Sequence, residues 1–213
     1  MYTPKFNEID DISILKEHIH AHPFGSWSCI AEGEIVVNHI PFVYHDNRGE
    51  YGTLAGHVSR ANPIWKICSR EKKSIVAFQG ENAYISPSWY PSKHQHGKAV
   101  PTWNYTVVQV YGAPLIQDSR DWLLDHVTEL TDRHEADKAL PWRVGDAPDE
   151  YIEKLVGAIV GIEIPITSIT GKWKLGQNKP ETDQIGMAAG LKSRNDGNSR
   201  ALGELTERLL QDK

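Results

Sequence analysis

Apolar positions switch from a helical to a strand-like period within the first thirty residues. Ile12, Leu15 and Ile19 recur at helical spacing behind Asp10 and Asp11, either of which can cap a helix. Pro23 stops that helix soon after His22. Strand-like runs follow over 27–31, over 34–38 with a continuation through 40–44, over 51–58 and over 74–79. Gly33, the Asp46-Asn47-Arg48-Gly49 cluster and Gly80 punctuate them as turns. Between the last two runs, Asn62-Pro63-Ile64-Trp65-Lys66-Ile67 suits a short helix with Pro63 in its first turn.

The second half reads differently. Residues 105–116 alternate and are rich in Val and Tyr, which predicts a long strand. Asp118 is then placed to cap an amphipathic helix with Trp122, Leu123, Val127 and Leu130 on its buried face. A further helix is predicted from Pro148 to Gly161, lined by Ile152, Leu155, Val156 and Ile159. Residues 162–169 are β-branched but broken by Pro165, which suits a strand at a sheet edge. Leu202, Leu205 and Leu209 mark a final helix. Strands come first and helices later, without β-α-β alternation. The order predicts an α+β fold built on a small antiparallel barrel whose edges are closed or covered. A single domain over 1–213 is expected, its helical C-terminal part starting at about 118.

Composition narrows the class. Hydrophobic residues make up 39% and charged residues 24%, a balance that builds a core. The net charge of −5 supplies no general basic face for nucleic acid. Cys29 and Cys68 are far apart and form no C-x-x-C pair, so buried inert thiols are expected rather than a disulfide framework or zinc ribbon. The N-terminal residues contain no apolar signal core, and the longest apolar run, 155–162, is too short to span a bilayer. A soluble cytoplasmic protein is the expectation.

Three segments carry candidate chemistry. The densest, 83–105, contains three prolines, the aromatics Tyr84, Trp89, Tyr90, Trp103 and Tyr105, and Lys93, His94, His96 and Lys98. Aromatic faces with ammonium and hydroxyl groups suit a planar ring bearing an anionic tail. The same residues would serve equally as the private core of a large loop. His94-x-His96 lacks a nearby carboxylate or cysteine at ligand spacing, so no metal site is assigned. The second segment, 52–63, ends a strand in His57, Ser59 and Arg60 just before a helix start, offering donors to a phosphate or simple strand-end capping. The third, 171–180, sets Lys172, Lys174 and Lys179 around Trp173, either as an anion patch or as a solvated loop.

Taken in order, Met1-Tyr2-Thr3-Pro4-Lys5-Phe6, Asn38-His39-Ile40-Pro41-Phe42, the GTLAGHVSRANPIW run from Gly52, the YISPSWYPSKH…PTWNY run ending at Tyr105, and the GKWKL run from Gly171 resemble the PaiB-type proteins, FMN-binding negative transcriptional regulators. The resemblance spans nearly the whole chain. It implies an FMN-binding split β-barrel with flanking helices, acting as a homodimer with flavin mononucleotide (FMN) at the subunit interface. By the same match, His57, Ser59, Arg60, Asn62 and Lys93 fall to the phosphate end. Thr102, Trp103, Asn104 and Tyr105 fall to the isoalloxazine or ribityl chain, Trp89 is a further cofactor contact, and Lys172, Lys174 and Gln177 approach from a partner. No basic recognition helix is visible, so repression through DNA or through a regulatory protein both remain open. A flavin-dependent oxidoreductase is the alternative. A haem pocket using His57, His94 or His96 is the third reading.

Overall fold

The computed structural model describes residues 1–31, 33–71 and 73–211. In chain order the elements are β1 (Glu8–Ile9), α1 (Ile12–Ala21), β2 (Phe24–Ala31), β3 (Glu34–Pro41), β4 (Val43–His45), β5 (Thr53–Ser59), α2 (Ile64–Glu71) and β6 (Ser74–Ile85). There follow α3 (Ser92–His96), β7 (Thr102–Gly112), β8 (Leu115–Gln117), α4 (Arg120–Glu135), α5 (Asp149–Gly157), β9 (Ile159–Lys174), α6 (Glu181–Lys192) and α7 (Gly197–Gln211). Strand neighbours run β3-β2-β6-β7-β9-β5-β4, with β1 and β8 also paired to β9. The path has two ends, so the pairing does not close on itself. The fold is α+β, as the order of patterns predicts.

Local chemistry explains most element boundaries. Asp11 opens α1 by accepting from Ser13 N–H at 2.8 Å and Ser13 Oγ at 2.6 Å. Asn62 opens α2, its side-chain oxygen accepting from Ile64 N–H at 3.0 Å. Asp118 does not cap α4 as the sequence suggests. The N-cap position is Ser119, and Asp118 instead binds Arg60. Strand β9 is 16 residues long and runs through Pro165. Pro165 pairs with Thr53, the first residue of β5, where a missing N–H costs least. The edge-strand reading of 162–169 is therefore corrected, because β9 lies between β7 and β5. Gly80 likewise sits inside β6 and not in a turn.

Contacts divide the chain into two units, each described by itself. The first comprises 1–15, 79–108 and 170–213; the second comprises 16–78 and 109–169. In the second unit, Trp27, Phe42, Leu54, Val76, Phe78, Ile162 and Ile164 are buried. Phe42 meets Phe78 edge-on at 5.9 Å, and Gly25 leaves room for both rings. Cys29 of β2 and Cys68 of α2 are bonded to one another, with Cα atoms 6.0 Å apart. The expectation of inert thiols is thus corrected. Sequence spacing does not reveal that β2 and α2 are packed together.

In the first unit, Ile85, Tyr90, Leu175, Met187, Leu191 and Leu202 form the core. Helix α6 packs against α7 and against the Pro87–Trp89 turn. A Cβ on Gly186 would collide with the Trp89 carbonyl, and one on Gly190 with the Trp89 ring. The glycine face of α6 is therefore the seat of Trp89.

Candidate functional site

The second unit contains a pocket of about 710 Å³ lined by Asn38, His39, Ile40, Pro41, His57, Val58, Ser59, Asn62, Val127, Val144, Ile152, Leu155, Val156, Ala158 and Ile159. Strand β5 delivers His57 and Ser59 to its rim, and the turn into α2 delivers Asn62. The wall is mostly aliphatic, with polar groups gathered at the junction of β3, β5 and α2. That arrangement, and a volume inside the range of roughly 300–1,000 Å³ usual for ligand pockets, suits a small molecule with an apolar body and a hydrogen-bonding edge.

The polar atoms at this end are themselves organised. Asn62 Nδ2–H donates to Asn38 Oδ1 at 2.8 Å, while Asn62 Oδ1 is engaged by the α2 N-terminus. Ser59 Oγ accepts from Ala61 N–H at 3.3 Å, leaving its hydroxyl proton to donate. His57 Nδ1 lies 3.1 Å from His126 Nε2 on α4. Burial lowers the His57 pKa from the ordinary imidazole value. Burial, with His57 and His45 close by, brings His126 down to about 3. Both rings are neutral at pH 7. His126 is a site residue the sequence reading missed. Its signal is the Trp122-x-x-x-His126 spacing, which puts an indole and an imidazole on one helix face, where they stack at 5.1 Å and 17°.

Arg60 sits beside this end but is engaged elsewhere. Its Nε donates to Gly157 O at 2.9 Å, Nη2 to Ile159 O at 2.9 Å, and Nη1 and Nη2 grip the Asp118 carboxylate. Its guanidinium ties the end of β5 to the α5–β9 junction. It does not line the pocket. Of the pocket's own residues, none is an Arg or Lys. The donor set therefore fits the ring and ribityl portions of a flavin better than a phosphate dianion.

The remaining predicted residues belong to the first unit. Lys174 Nζ–H donates to Thr102 Oγ1 at 2.5 Å and Trp103 O at 2.6 Å. Its pKa is lowered, first by burial and further by the charges of Lys172 and Lys179. Lys172 is buried, donates to Tyr2 O at 3.0 Å and lies 5.4 Å from the Tyr105 ring centroid. Strand β9 and the turn after it thus gather three ammonium groups. Gln177 is spent on the turn itself, accepting from Leu175 N–H and donating to Trp173 O. Asn104 is buried, with Nδ2 3.2 Å from Met187 Sδ. Trp103 is half-exposed and donates to Asn82 Oδ1. Lys93, His94 and His96 lie exposed on α3, and Trp89 is seated on α6. Within their units, the structure brings together His57, Ser59 and Asn62, and separately Lys172, Lys174, Thr102, Trp103 and Tyr105.

A larger groove of about 1050 Å³ runs along α4 and α5 and includes Arg120, Asp132, Arg143 and Asp149. Arg120 there is bound by Glu153 and Asp121. No predicted site residue lies in that groove. Among the described residues, no cluster of His, Cys, Asp and Glu is arranged to hold a metal. No described helix is long and apolar enough to cross a membrane.

Sheet order and flanking helices are those of a split-barrel fold. The chain is similar in structure to the FAD and Heme binding protein from Mycobacterium smegmatis, with a TM-score of 0.60 at 16% identity over 86% of this chain and 80% of that one. It is equally similar to the flavocytochrome Anf3 from Azotobacter vinelandii, with a TM-score of 0.60 at 14% identity over 85% and 77%. Residues 1–168 match the family described as "Putative FMN-binding domain", and the chain belongs to that family. It is 28% identical over 211 residues to "Protease synthase and sporulation protein PAI 2" of Bacillus subtilis (strain 168), covering 99% of both chains. It is also 30% identical over 230 residues to the uncharacterized protein AN0679 of Emericella nidulans, covering 91% of each.

Proposed function

We propose that this protein is an FMN-binding regulator of the PaiB type, and that FMN places its ring system in the aliphatic pocket of the second unit. The observation that carries the reading is the convergence of His57, Ser59 and Asn62 on one pocket in a chain of the FMN-binding family. When bound, the flavin supplies electron-transfer chemistry. The chain's own residues bind and orient it: Val58, Val156 and Ile159 exclude water from the ring, and Ser59 and His57 offer donors to its polar edge. The homodimer belongs to the same reading, with the lysine-bearing strand of a second copy meeting the phosphate. Repression then follows from flavin state through a regulatory protein, consistent with a net charge of −5.

Titrating the purified protein with FMN and following flavin fluorescence tests the site. Saturation at one FMN per chain is expected. Leu155→Trp, which fills the pocket, should weaken binding without lowering Tm. Unaltered affinity in that variant would remove the pocket from the site. A Soret band that survives gel filtration after haem addition would instead support haem. A gel shift of DNA by this protein alone would move repression from a protein partner to DNA.

The oxidoreductase reading has one observation in its favour. His57, an imidazole that lines the pocket and is backed by His126, sets a hydrogen-bonding group beside whatever ring binds there. Single-turnover oxidation of the reduced protein with candidate acceptors separates the two readings, since a regulator gains nothing from fast turnover.

A further inference from the structure

Two imidazoles meet at the polar end of the pocket, and their geometry fixes the protonation of both. His57 Nδ1 and His126 Nε2 are 3.1 Å apart, with ring planes inclined at 73°. A neutral imidazole carries one N–H, so one ring donates in this bond and the other accepts. His126 is 4% exposed, and its Nδ1 is buried with no hydrogen-bond partner. If His57 donated, the single proton of His126 would sit on that Nδ1 as a buried N–H without an acceptor. If His126 donates, only a bare lone pair is left there, the less costly of the two. His126 Nε2–H is therefore the donor, and the His57 proton moves to Nε2. That is the ring nitrogen left for the pocket His57 lines.

The pair is held in this arrangement from both sides. Trp122 stacks on His126, and Gly161, by lacking a Cβ, gives the Trp122 ring its place. Behind His126 lies a cavity of about 240 Å³ walled also by His45 of β4, Arg48, Asp125 and Glu129 of α4 and Glu163 of β9. Most of these charges are committed to one another. Arg48 pairs with Glu163 at 3.3 Å, Glu129 with Arg133 at 2.7 Å, and His45 lies 3.6 Å from Glu129. On the pocket side, His39 is the other titratable lining residue.

We propose that His126 is a positioning residue that fixes His57 as an uncharged Nε2–H donor, so that His57 meets a carbonyl or imine edge of the flavin ring system and not its phosphate. This rests on the reading that a flavin occupies the pocket. It revises the role that the family resemblance gives His57. A cation is what a phosphate selects, and burial keeps both rings uncharged at neutral pH.

The test uses the full chain and its variants His57→Ala, His126→Gln and His126→Phe. Long-range 15N–1H correlation of the ligand-free protein reads the tautomers. Wild type and His126→Gln should show His57 as Nε2–H, because the Gln amide can replace the donated N–H. His126→Phe should show a tautomer mixture. Titrations with FMN and riboflavin should show equal losses in His57→Ala, on the order of fivefold for one hydrogen bond. His126→Phe should fall between wild type and His57→Ala, and His126→Gln should stay near wild type. A His57 proton on Nδ1 in wild type, or an ordinary His57 titration near neutral pH, overturns the proposal. So does an FMN loss in His57→Ala with riboflavin unaffected. If wild type binds neither flavin, the FMN reading fails together with the ligand half of the proposal, while the tautomers still decide whether His126 fixes His57.

Discussion

Lowering the pH from 7 to 5 loads the buried His126 in a way the structure lets one calculate. Its pKa falls from 6.5 in the free side chain to about 3 in the folded protein, through burial first and then the neighbouring His57 and His45. At pH 5 the unfolded chain carries a proton on this ring and the folded chain does not. The unfolded state thus binds more protons, and stability falls as pH drops from 6.5 towards 3. Linkage puts the loss from this one group at about 2 kcal/mol between pH 7 and pH 5. His57 and His45 are shifted the same way and add to the wild-type slope. The carboxylates of Asp118, Glu153 and Asp196 are held below their usual range by arginine partners, so their contributions disappear only at lower pH. Urea unfolding at pH 7, 6 and 5, with m checked for constancy, measures the effect. Wild type should lose about 2 kcal/mol more than His126→Gln over that range. Identical slopes in the two proteins, or stability that rises on acidification, would refute the assignment of His126 as a buried neutral group.

Three further outcomes follow from individual contacts. The Cys29–Cys68 bond closes a loop with a sequence separation of 39; reduction should cost about 4 kcal/mol on the chain-entropy estimate, read as a drop in urea midpoint with dithiothreitol, and an unchanged midpoint would contradict it. Gly186→Ala drives a methyl into the backbone carbonyl of Trp89 and should cost about 1–3 kcal/mol in thermal unfolding, whereas an unaltered Tm would mean α6 is free to shift. Arg60→Ala removes the ties to Gly157, Ile159 and Asp118, so it should lower Tm and weaken FMN and riboflavin alike; a loss confined to FMN would put Arg60 on the phosphate.

Much of the fold is legible because burial and periodicity coincide. Leu15 and Ile19 on α1, the alternation along β7 and the Leu202 side of α7 all mark buried faces. Helix α6 is not legible for the opposite reason. Its buried face carries Asp183, Gln184 and Ala188 beside Met187 and Leu191, and Gly186 and Gly190 admit Trp89. Such a face has no apolar stripe to read. Strand β9 is misjudged at Pro165 because a proline disqualifies a central strand only where its N–H is needed. Here it pairs at the very end of β5.

The candidate site divides in the same manner. His57, Ser59 and Asn62 are adjacent in sequence, so a strand-to-helix junction brings them together almost regardless of tertiary detail. His126 is 69 residues from His57 and looks like one more residue on an amphipathic helix. Only the packing of α4 on β5 reveals the pair. Arg60 shows the converse. A cation at a helix start reads as a phosphate ligand until Asp118 and two carbonyls are seen to occupy it.

Equilibrium titration of the purified chain with FMN, followed by visible absorbance and flavin fluorescence, tests the central claim most directly. A perturbed flavin spectrum that saturates at one FMN per chain, and that needs more FMN to saturate once Leu155→Trp fills the aliphatic pocket, is the expected result. A flavin spectrum and fluorescence unchanged by the protein at any ratio would contradict it.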